Sequence, residues 1–202
     1  MSFPAFFAQA PTITLRDPLA ELLGAAEDGL ITYTYADAVK LAGHSCPTVA
    51  GAYLATRRAL RWLYGDDPPE RGRLRVEFRE AASHGVTGVL ASVARLLTGA
   101  TAEDGFKGLG GRFDRRYLLE FGADIEGEIR YTRTDTNAGV DARLDLGVVP
   151  ADPAMLPLLQ RAVQQSATPA QAAQFALLWQ ERVRRMLLEH AEDEQMIRLE
   201  AV

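Results

Sequence analysis

The chain has 202 residues, of which 48% are hydrophobic and 24% charged; this composition is typical of a globular protein and excludes a disordered or fibrous chain. Its formal net charge is −5 and its basic residues are interspersed with acids, which argues against a nucleic-acid partner. The chain has a single cysteine, its start carries no basic residues, and no apolar run reaches the roughly 18 residues that a membrane helix needs. These features predict a cytoplasmic protein without a membrane partner.

The first part of the chain predicts short elements that lead into one long helix. Leu19–Ala26 follows a proline and predicts a short helix, whereas Gly29–Thr34 is rich in β-branched and aromatic residues and predicts a strand. Tyr35–Leu41 predicts a second short helix. A long helix over Pro47–Tyr64 follows, because proline is favoured at the first helical position and the apolar and small residues after it recur at helical spacing.

The middle of the chain alternates between a strand, a helix and a loop. Leu74–Phe78 alternates apolar and charged residues, which predicts a half-buried strand. A helix with an apolar stripe is predicted between Gly85 and Gly99, where the second glycine ends it. Gly105–Gly111 contains four glycines, too many for a regular element, and predicts a sharply bent loop.

The last third predicts more strands and then helices. Arg116–Phe121, Glu128–Thr134 and Arg143–Val149 have strand-like patterns, and Thr136–Gly139 fits a hairpin turn between the second and the third. Two helices follow, the second of which starts with a capping box at Thr168. Because strands and helices do not alternate strictly, we expect an α+β fold with a mostly antiparallel sheet covered by helices and a C-terminal helical pair.

Two candidate metal ligands, His44 and Cys46, lie two residues apart in a turn between predicted helices. Gly43 before them and Pro47 after them provide the bend that lets both side chains point the same way. Imidazole and thiolate are good ligands for zinc and other late transition metals. The positive end of the helix that begins at Pro47 also favours the thiolate form of Cys46.

His84 is the third candidate ligand, since it stands at a corner between a predicted strand and a predicted helix. Together with His44 and Cys46 it would give three protein ligands and an open fourth position, as in catalytic or sensing zinc sites. The alternative interpretation is structural. A buried cysteine commonly packs as a small hydrophobe, and Ser45 and Ser83 fit the pattern of helix caps.

The order of these motifs resembles the formylmethanofuran dehydrogenase FmdE family. Gly43–Pro47, followed by Gly51 and a helix of small residues, is similar to the glycine-histidine-x-cysteine-proline-glycine signature of that family. Further segments follow the family's order, namely Arg73–Glu80, Ala82–Val86, Leu96–Thr101 and the loop around Gly105–Gly108. The resemblance covers roughly Tyr33 to Leu146.

The sequence also departs from the family pattern. Thr48 stands where the family usually has glycine, His84 where it has a cysteine, and Ala100 where it often has a second cysteine. The exchange at His84 keeps a residue that can bind zinc, whereas the one at Ala100 removes any chemistry of a thiol pair. The residues after Leu188 contain no cysteine, so they lack the zinc ribbon that some relatives carry.

The resemblance implies a single FmdE-like domain over residues 1–202, with a core at about 30–150 and C-terminal helices at 151–202. It implies a homodimer that binds zinc, or another late transition metal, through His44, Cys46 and His84. A small-molecule ligand at the open coordination position is compatible with this expectation.

Two classes of function follow from such a site. One is a metal-dependent enzyme acting on a small molecule, with Cys46 and Lys107 as catalytic candidates and Glu80 as a weaker acid or base. Lys107 lies in the glycine-rich loop, where backbone N–H groups suit an anionic ligand. The other is a non-catalytic accessory protein for a metal, a haem or a sulfur compound, since histidine and cysteine are both haem ligands. A thiol enzyme based on Cys46 without metal is a third alternative, although it lacks a resolving thiol.

Overall fold

The computed structural model describes residues 3–202 and has the α+β architecture expected from the sequence. Its helices are α1 (Pro18–Leu22), α2 (Tyr35–Ala42), α3 (Pro47–Tyr64), α4 (Thr87–Thr98), α5 (Met155–Val163) and α6 (Pro169–Leu188). Its strands are β1 (Ile13–Arg16), β2 (Leu30–Tyr33), β3 (Leu74–Phe78), β4 (Leu119–Phe121), β5 (Ile129–Arg133), β6 (Gly139–Leu144) and β7 (Ile197–Ala201). None of the described helices is both long and apolar enough to cross a membrane.

The main sheet has five strands in the order β4-β3-β5-β6-β7. Every neighbouring pair is antiparallel except β3 and β4, which are parallel. The sheet is therefore mixed, although it is mostly antiparallel as predicted. The parallel pair is possible because the chain passes through α4 between these two strands, a connection long enough to return it to the same end of the sheet. β1 and β2 form a separate antiparallel pair.

α3 is the helix around which the rest of the chain packs. It contacts β6 in the sheet as well as α4 and α6. Its small residues are buried, namely Gly51, Ala52, Ala55 and Ala59. A methyl group at Gly51 would lie only 2.8 Å from Cδ2 of Leu146, so the chain after β6 approaches the helix backbone closely. The small-residue face predicted from the sequence is thus confirmed as a close-packing surface.

The strand predicted over Arg143–Val149 lies earlier in the chain than expected, as β6 over Gly139–Leu144. β6 ends at Leu144, and the residues after it form a 3₁₀ turn over Leu146–Val148. Asp145 opens this turn, because its carboxylate accepts the backbone N–H of Gly147 at 2.9 Å. A side chain that bonds to its own backbone two residues on favours a turn over a strand.

Other strand boundaries differ from the prediction for local reasons. The strand expected over Arg116–Phe121 begins only at Leu119, because Tyr117 has a φ of 58°, which no strand residue adopts. β1 and β7 are not among the predicted strands, although β7 alternates apolar and charged residues as β3 does.

The C-terminal helical pair is present as predicted, with α5 packed on α6. Thr168 caps α6: its hydroxyl oxygen accepts the N–H of Gln171 at 3.3 Å, and the Gln171 side chain accepts the N–H of Thr168 at 3.0 Å. This reciprocal capping box is the one that the sequence predicts. The C-terminal half of α6 lies against α3, which brings it to the turn between α2 and α3.

Candidate functional site

The turn between α2 and α3 carries two of the predicted ligands, His44 and Cys46. α2 ends at Gly43, whose left-handed conformation (φ 75°) suits glycine, and α3 begins with Pro47 at its first position. Cys46 has an extended backbone and is the N-cap of α3. The stop at Gly43 and the start at Pro47 are confirmed, and they place both candidate ligands at the N-terminal end of α3.

Side chains from α2 and α6 fix this turn through Ser45. Trp179 Nε1 donates a hydrogen bond to the carbonyl oxygen of Ser45 at 2.8 Å, and Gln180 Nε2 donates to the same oxygen at 3.3 Å. The Ser45 hydroxyl donates to Gln180 Oε1 at 3.0 Å and lies 2.9 Å from the hydroxyl of Tyr35. Burial raises the pKa of Tyr35 well above its ordinary range, so its hydroxyl keeps the proton that it donates to Ser45.

Cys46 carries a free thiol that is almost fully buried, with 7% of the residue exposed. Its Sγ accepts the backbone N–H of Val49 at 3.4 Å, which is the role of an N-cap side chain. The same hydrogen bond also gives Cys46 a structural role that does not depend on a metal.

His44 is exposed, and one backbone contact orients its ring. Nδ1 lies 2.9 Å from the carbonyl oxygen of Ala42. Because a carbonyl oxygen can only accept a hydrogen bond, Nδ1 carries the proton and the lone pair of the neutral ring is on Nε2. Histidines that bind metals commonly show this arrangement, in which the other ring nitrogen donates to a carbonyl group.

The third predicted ligand, His84, lies in the turn before α4 and is engaged elsewhere. Its side chain is 68% exposed, and Nδ1 lies 3.2 Å from Oε2 of Glu80. Within residues 3–202 no three histidine, cysteine, aspartate or glutamate side chains are grouped closely enough to hold a metal ion. The donor types of His44, Cys46 and His84 suit zinc, but the described side chains do not assemble them into one site. Metal binding by these residues stays a prediction.

The two acid–base candidates also lie at the surface. Lys107 is exposed in the loop between α4 and β4. Glu80 follows β3 and is shared between Arg79, at 3.6 Å, and His84. Among the described hydrogen bonds, neither side chain contacts the turn that holds Cys46.

A cavity of about 750 Å³ lies apart from these residues, between α1, the start of β3 and the loop before β4. Five arginines from three distant segments line it, namely Arg16, Arg71, Arg73, Arg112 and Arg115. The sequence does not predict this grouping, because each arginine has an acid nearby in the chain and no segment is strongly basic. The local signals are two short segments, 71–75 and 112–116, each of which carries three arginines.

Comparisons with known proteins place few constraints on this site. No family model and no curated protein matches the sequence. Among solved structures, a tungsten formylmethanofuran dehydrogenase FmdE-like protein from Syntrophus aciditrophicus matches over 84% of this chain and 72% of its own, with 13% identity and a TM-score of 0.44.

Proposed function

We propose that this chain binds a late transition metal ion, in the first place zinc, at the turn before α3. Nε2 of His44 and Sγ of Cys46 are the two ligands from the turn, and His84 is the third. The observation that carries the proposal is the orientation of His44, whose Nδ1 donates to the carbonyl of Ala42 and whose Nε2 is therefore free to bind a metal.

Two further features support this assignment. The turn is rigidly held, because Trp179, Gln180 and Tyr35 all hydrogen-bond to Ser45 between the two ligands; ligands held in this way lose little freedom when a metal binds. His84 Nδ1 lies 3.2 Å from Oε2 of Glu80, an arrangement that also leaves Nε2 free to bind a metal.

We favour a binding or accessory role over an enzyme. A zinc ion with three protein ligands would offer one coordination position to water or to a small molecule and would act there as a Lewis acid. An enzyme of this kind needs an acid or base held beside that position. Lys107 and Glu80 are both exposed and make no described hydrogen bond to the turn, which favours binding without catalysis.

The proposal is tested by the metal content of the purified chain and by its spectrum after loading with Co²⁺. We expect about one metal ion per chain and a thiolate-to-cobalt charge-transfer band. The variant Cys46→Ser should lose the band yet remain folded, because serine is also a good N-cap residue for the N–H of Val49. His44→Ala and His84→Ala should each weaken metal binding.

His190→Ala is the matched control, since His190 is bound to Asp193 near the end of α6 and belongs to no predicted ligand set. It should leave the metal content unchanged. A chain that binds no metal in stoichiometric amounts, or one in which His44→Ala and His190→Ala behave alike, contradicts the proposal. A Soret band in place of a colourless zinc protein would identify haem as the bound group.

A further inference from the structure

The floor of the arginine-lined cavity is built around one aspartate and two arginines. Asp17 Oδ1 accepts a hydrogen bond from Arg115 Nη2 at 2.7 Å, and Oδ2 accepts one from Arg71 Nη1 at 3.0 Å. Asp17 is only 4% exposed and Arg115 only 6%. One carboxylate therefore faces two guanidinium groups, and the cluster keeps one positive charge that no described acid neutralises.

Two N–H-bearing atoms of this cluster have no acceptor. Nη1 of Arg115 and Nε of Arg71 are both buried and have no hydrogen-bond partner among the described residues. Buried donors on charged groups are costly to leave unpaired, and folded proteins normally satisfy them with protein, water or a bound ion. The excess positive charge of this cluster attracts an anion in the cavity, whereas the two unpaired donors are themselves buried beneath its surface.

The backbone holds the central arginine in place. A methyl group at Gly72 would lie 2.6 Å from Cζ of Arg115, and one at Gly99 would overlap its Nη1, so the guanidinium fills a slot that only glycines leave open. The hydroxyl of Thr101 donates to the carbonyl oxygen of Arg115 at 2.6 Å and fixes the main chain there. Arg115 is thus positioned by the fold and does not sample the surface as an exposed arginine does.

The charges on the wall of the cavity mostly cancel in pairs, namely Arg16 with Glu21, Arg73 with Glu70, and Asp114 with Arg116. Arg112 is the exception. It is exposed, lies with its guanidinium 4.7 Å from the ring centroid of Phe113, and has no ion pair among the described residues. Arg112 and the floor cluster therefore leave two positive charges around the cavity without a partner.

We propose that this cavity binds a small organic dianion, a phosphate monoester or a dicarboxylate, between Arg112 and the floor cluster. Both groups present compact oxygen acceptors that match the planar fork of guanidinium donors. A volume of about 750 Å³ suits a small-molecule ligand and exceeds the size of a single phosphate. Leu22 and Leu118 line the same cavity and provide an apolar surface for the body of the ligand.

The test is isothermal titration calorimetry of the full chain with inorganic phosphate, glycerol phosphate and succinate, at low salt and with chloride as the reference anion. Wild type should bind at least one of these dianions more tightly than chloride. Arg112→Gln should weaken that binding about tenfold, the effect of losing one charge-assisted hydrogen bond. Arg75→Gln is the matched control, because Arg75 is an exposed arginine on β3 that does not line the cavity.

The titrations distinguish the two classes of dianion. Binding of glycerol phosphate alone identifies a phosphate monoester, and binding of succinate alone identifies a dicarboxylate. Binding no tighter than that of chloride, or an equal loss in Arg112→Gln and Arg75→Gln, overturns the proposal. All titrations are repeated with protein from which metal ions have been removed by a chelator that is then dialysed away, because chelators are themselves polycarboxylate anions. Binding that disappears after this treatment also overturns it, because the anion would then be held by a metal ion and not by the arginines.

Arg112 carries the test because it is exposed and its replacement leaves the fold intact. Arg115 is a poorer choice for substitution. Its removal would empty the slot between Gly72 and Gly99 and would deprive the buried Asp17 of one of its two arginine partners, which would destabilise the fold. Binding of the anion is independent of the metal proposal, because the two sites share no residue.

Discussion

At the residue scale, Asp17 joins two parts of the structure. It is the N-cap of α1, where Oδ1 accepts the N–H groups of Leu19 at 3.0 Å and Ala20 at 3.3 Å, and it also binds both arginines of the cavity floor. Burial alone would raise its pKa. The hydrogen bond from Arg71 and the charge of Arg115 act in the opposite direction and, with the backbone N–H groups, hold the pKa below its ordinary value of 3.8.

The variant Asp17→Asn should be less stable than wild type by about 3–5 kcal/mol near neutral pH, because it leaves buried arginines without their carboxylate. The folded-state pKa of Asp17 is lowered, so the part of this difference that comes from the ionised carboxylate is fully present above the ordinary value of 3.8 and declines as the pH falls through the folded-state value. Urea denaturation of both chains at about pH 7 and about pH 3 measures it.

Asp124→Asn is the control for Asp17→Asn, since it makes the same change in charge at an exposed position. It should change the free energy of unfolding by less than about 0.5 kcal/mol. An Asp17→Asn difference that is as large in acid as at neutral pH would show that the ionised carboxylate is not what stabilises the cavity floor.

Cys46 yields a second prediction at this scale, which concerns its role as a helix cap. In the metal-free chain, Cys46→Ala should lower the free energy of unfolding by about 1 kcal/mol, because the N–H of Val49 loses its acceptor. Cys46→Ser should stay closer to wild type, since a hydroxyl can accept the same N–H. Urea denaturation compares the three chains. Equal stability of the serine and alanine variants would show that the hydrogen bond to sulfur contributes nothing.

The two candidate sites differ in how far the sequence predicts them. Gly43 and Pro47 act locally, so the turn that carries His44 and Cys46 is predicted correctly. Apart from the hydrogen bond with Tyr35, the contacts that hold this turn come from Trp179 and Gln180, more than 130 residues away, and no local pattern indicates them. The arginine-lined cavity is likewise not predictable from a local pattern, because its arginines come from segments that only the folded chain brings together.

At the scale of elements, the sequence best predicts the helices that have a proline or a glycine at their ends. The bounds of α3 are predicted correctly at both ends, because a proline at its start and a glycine after its end act on the adjacent backbone. β7 completes the sheet by pairing Ile197 with Leu144, a long-range contact that only the fold establishes. The parallel pairing of β3 and β4 likewise depends on the path of the chain through α4.

The capping box of α6 permits a prediction about this element alone. The first turns of α6 are exposed, so Thr168→Ala should make them fray while the buried C-terminal half stays in place. We expect faster amide hydrogen exchange around Gln171, where the local free energy of opening falls by about 1 kcal/mol, and little change around Met186. Faster exchange over the whole helix would contradict this, because it would mean that the cap sets the stability of all of α6.

At the scale of the whole molecule, the charge around the main cavity is opposite in sign to the net charge of the chain. The chain carries a formal charge of −5, yet the walls and floor of its main cavity leave two arginine charges unpaired among the described residues. Exposed charges are screened beyond a Debye length of about 8 Å at physiological salt, so an anion inside the cavity interacts chiefly with the arginines beside it. Net charge is therefore a poor guide to which small ligands this protein attracts.

The homodimer implied by the family resemblance is a prediction that belongs to this scale. Leu156 and Val163 are 62% and 74% exposed, and they lie seven residues apart, hence on one face of α5. We expect a second copy to cover this face, so the double variant Leu156→Glu, Val163→Glu should shift the chain from dimer to monomer in size-exclusion chromatography with light scattering. Leu41→Glu on α2, which is 50% exposed, is the control and should leave the mass unchanged. A wild type that is monomeric at all concentrations, or equal effects of both substitutions, would rule out this interface.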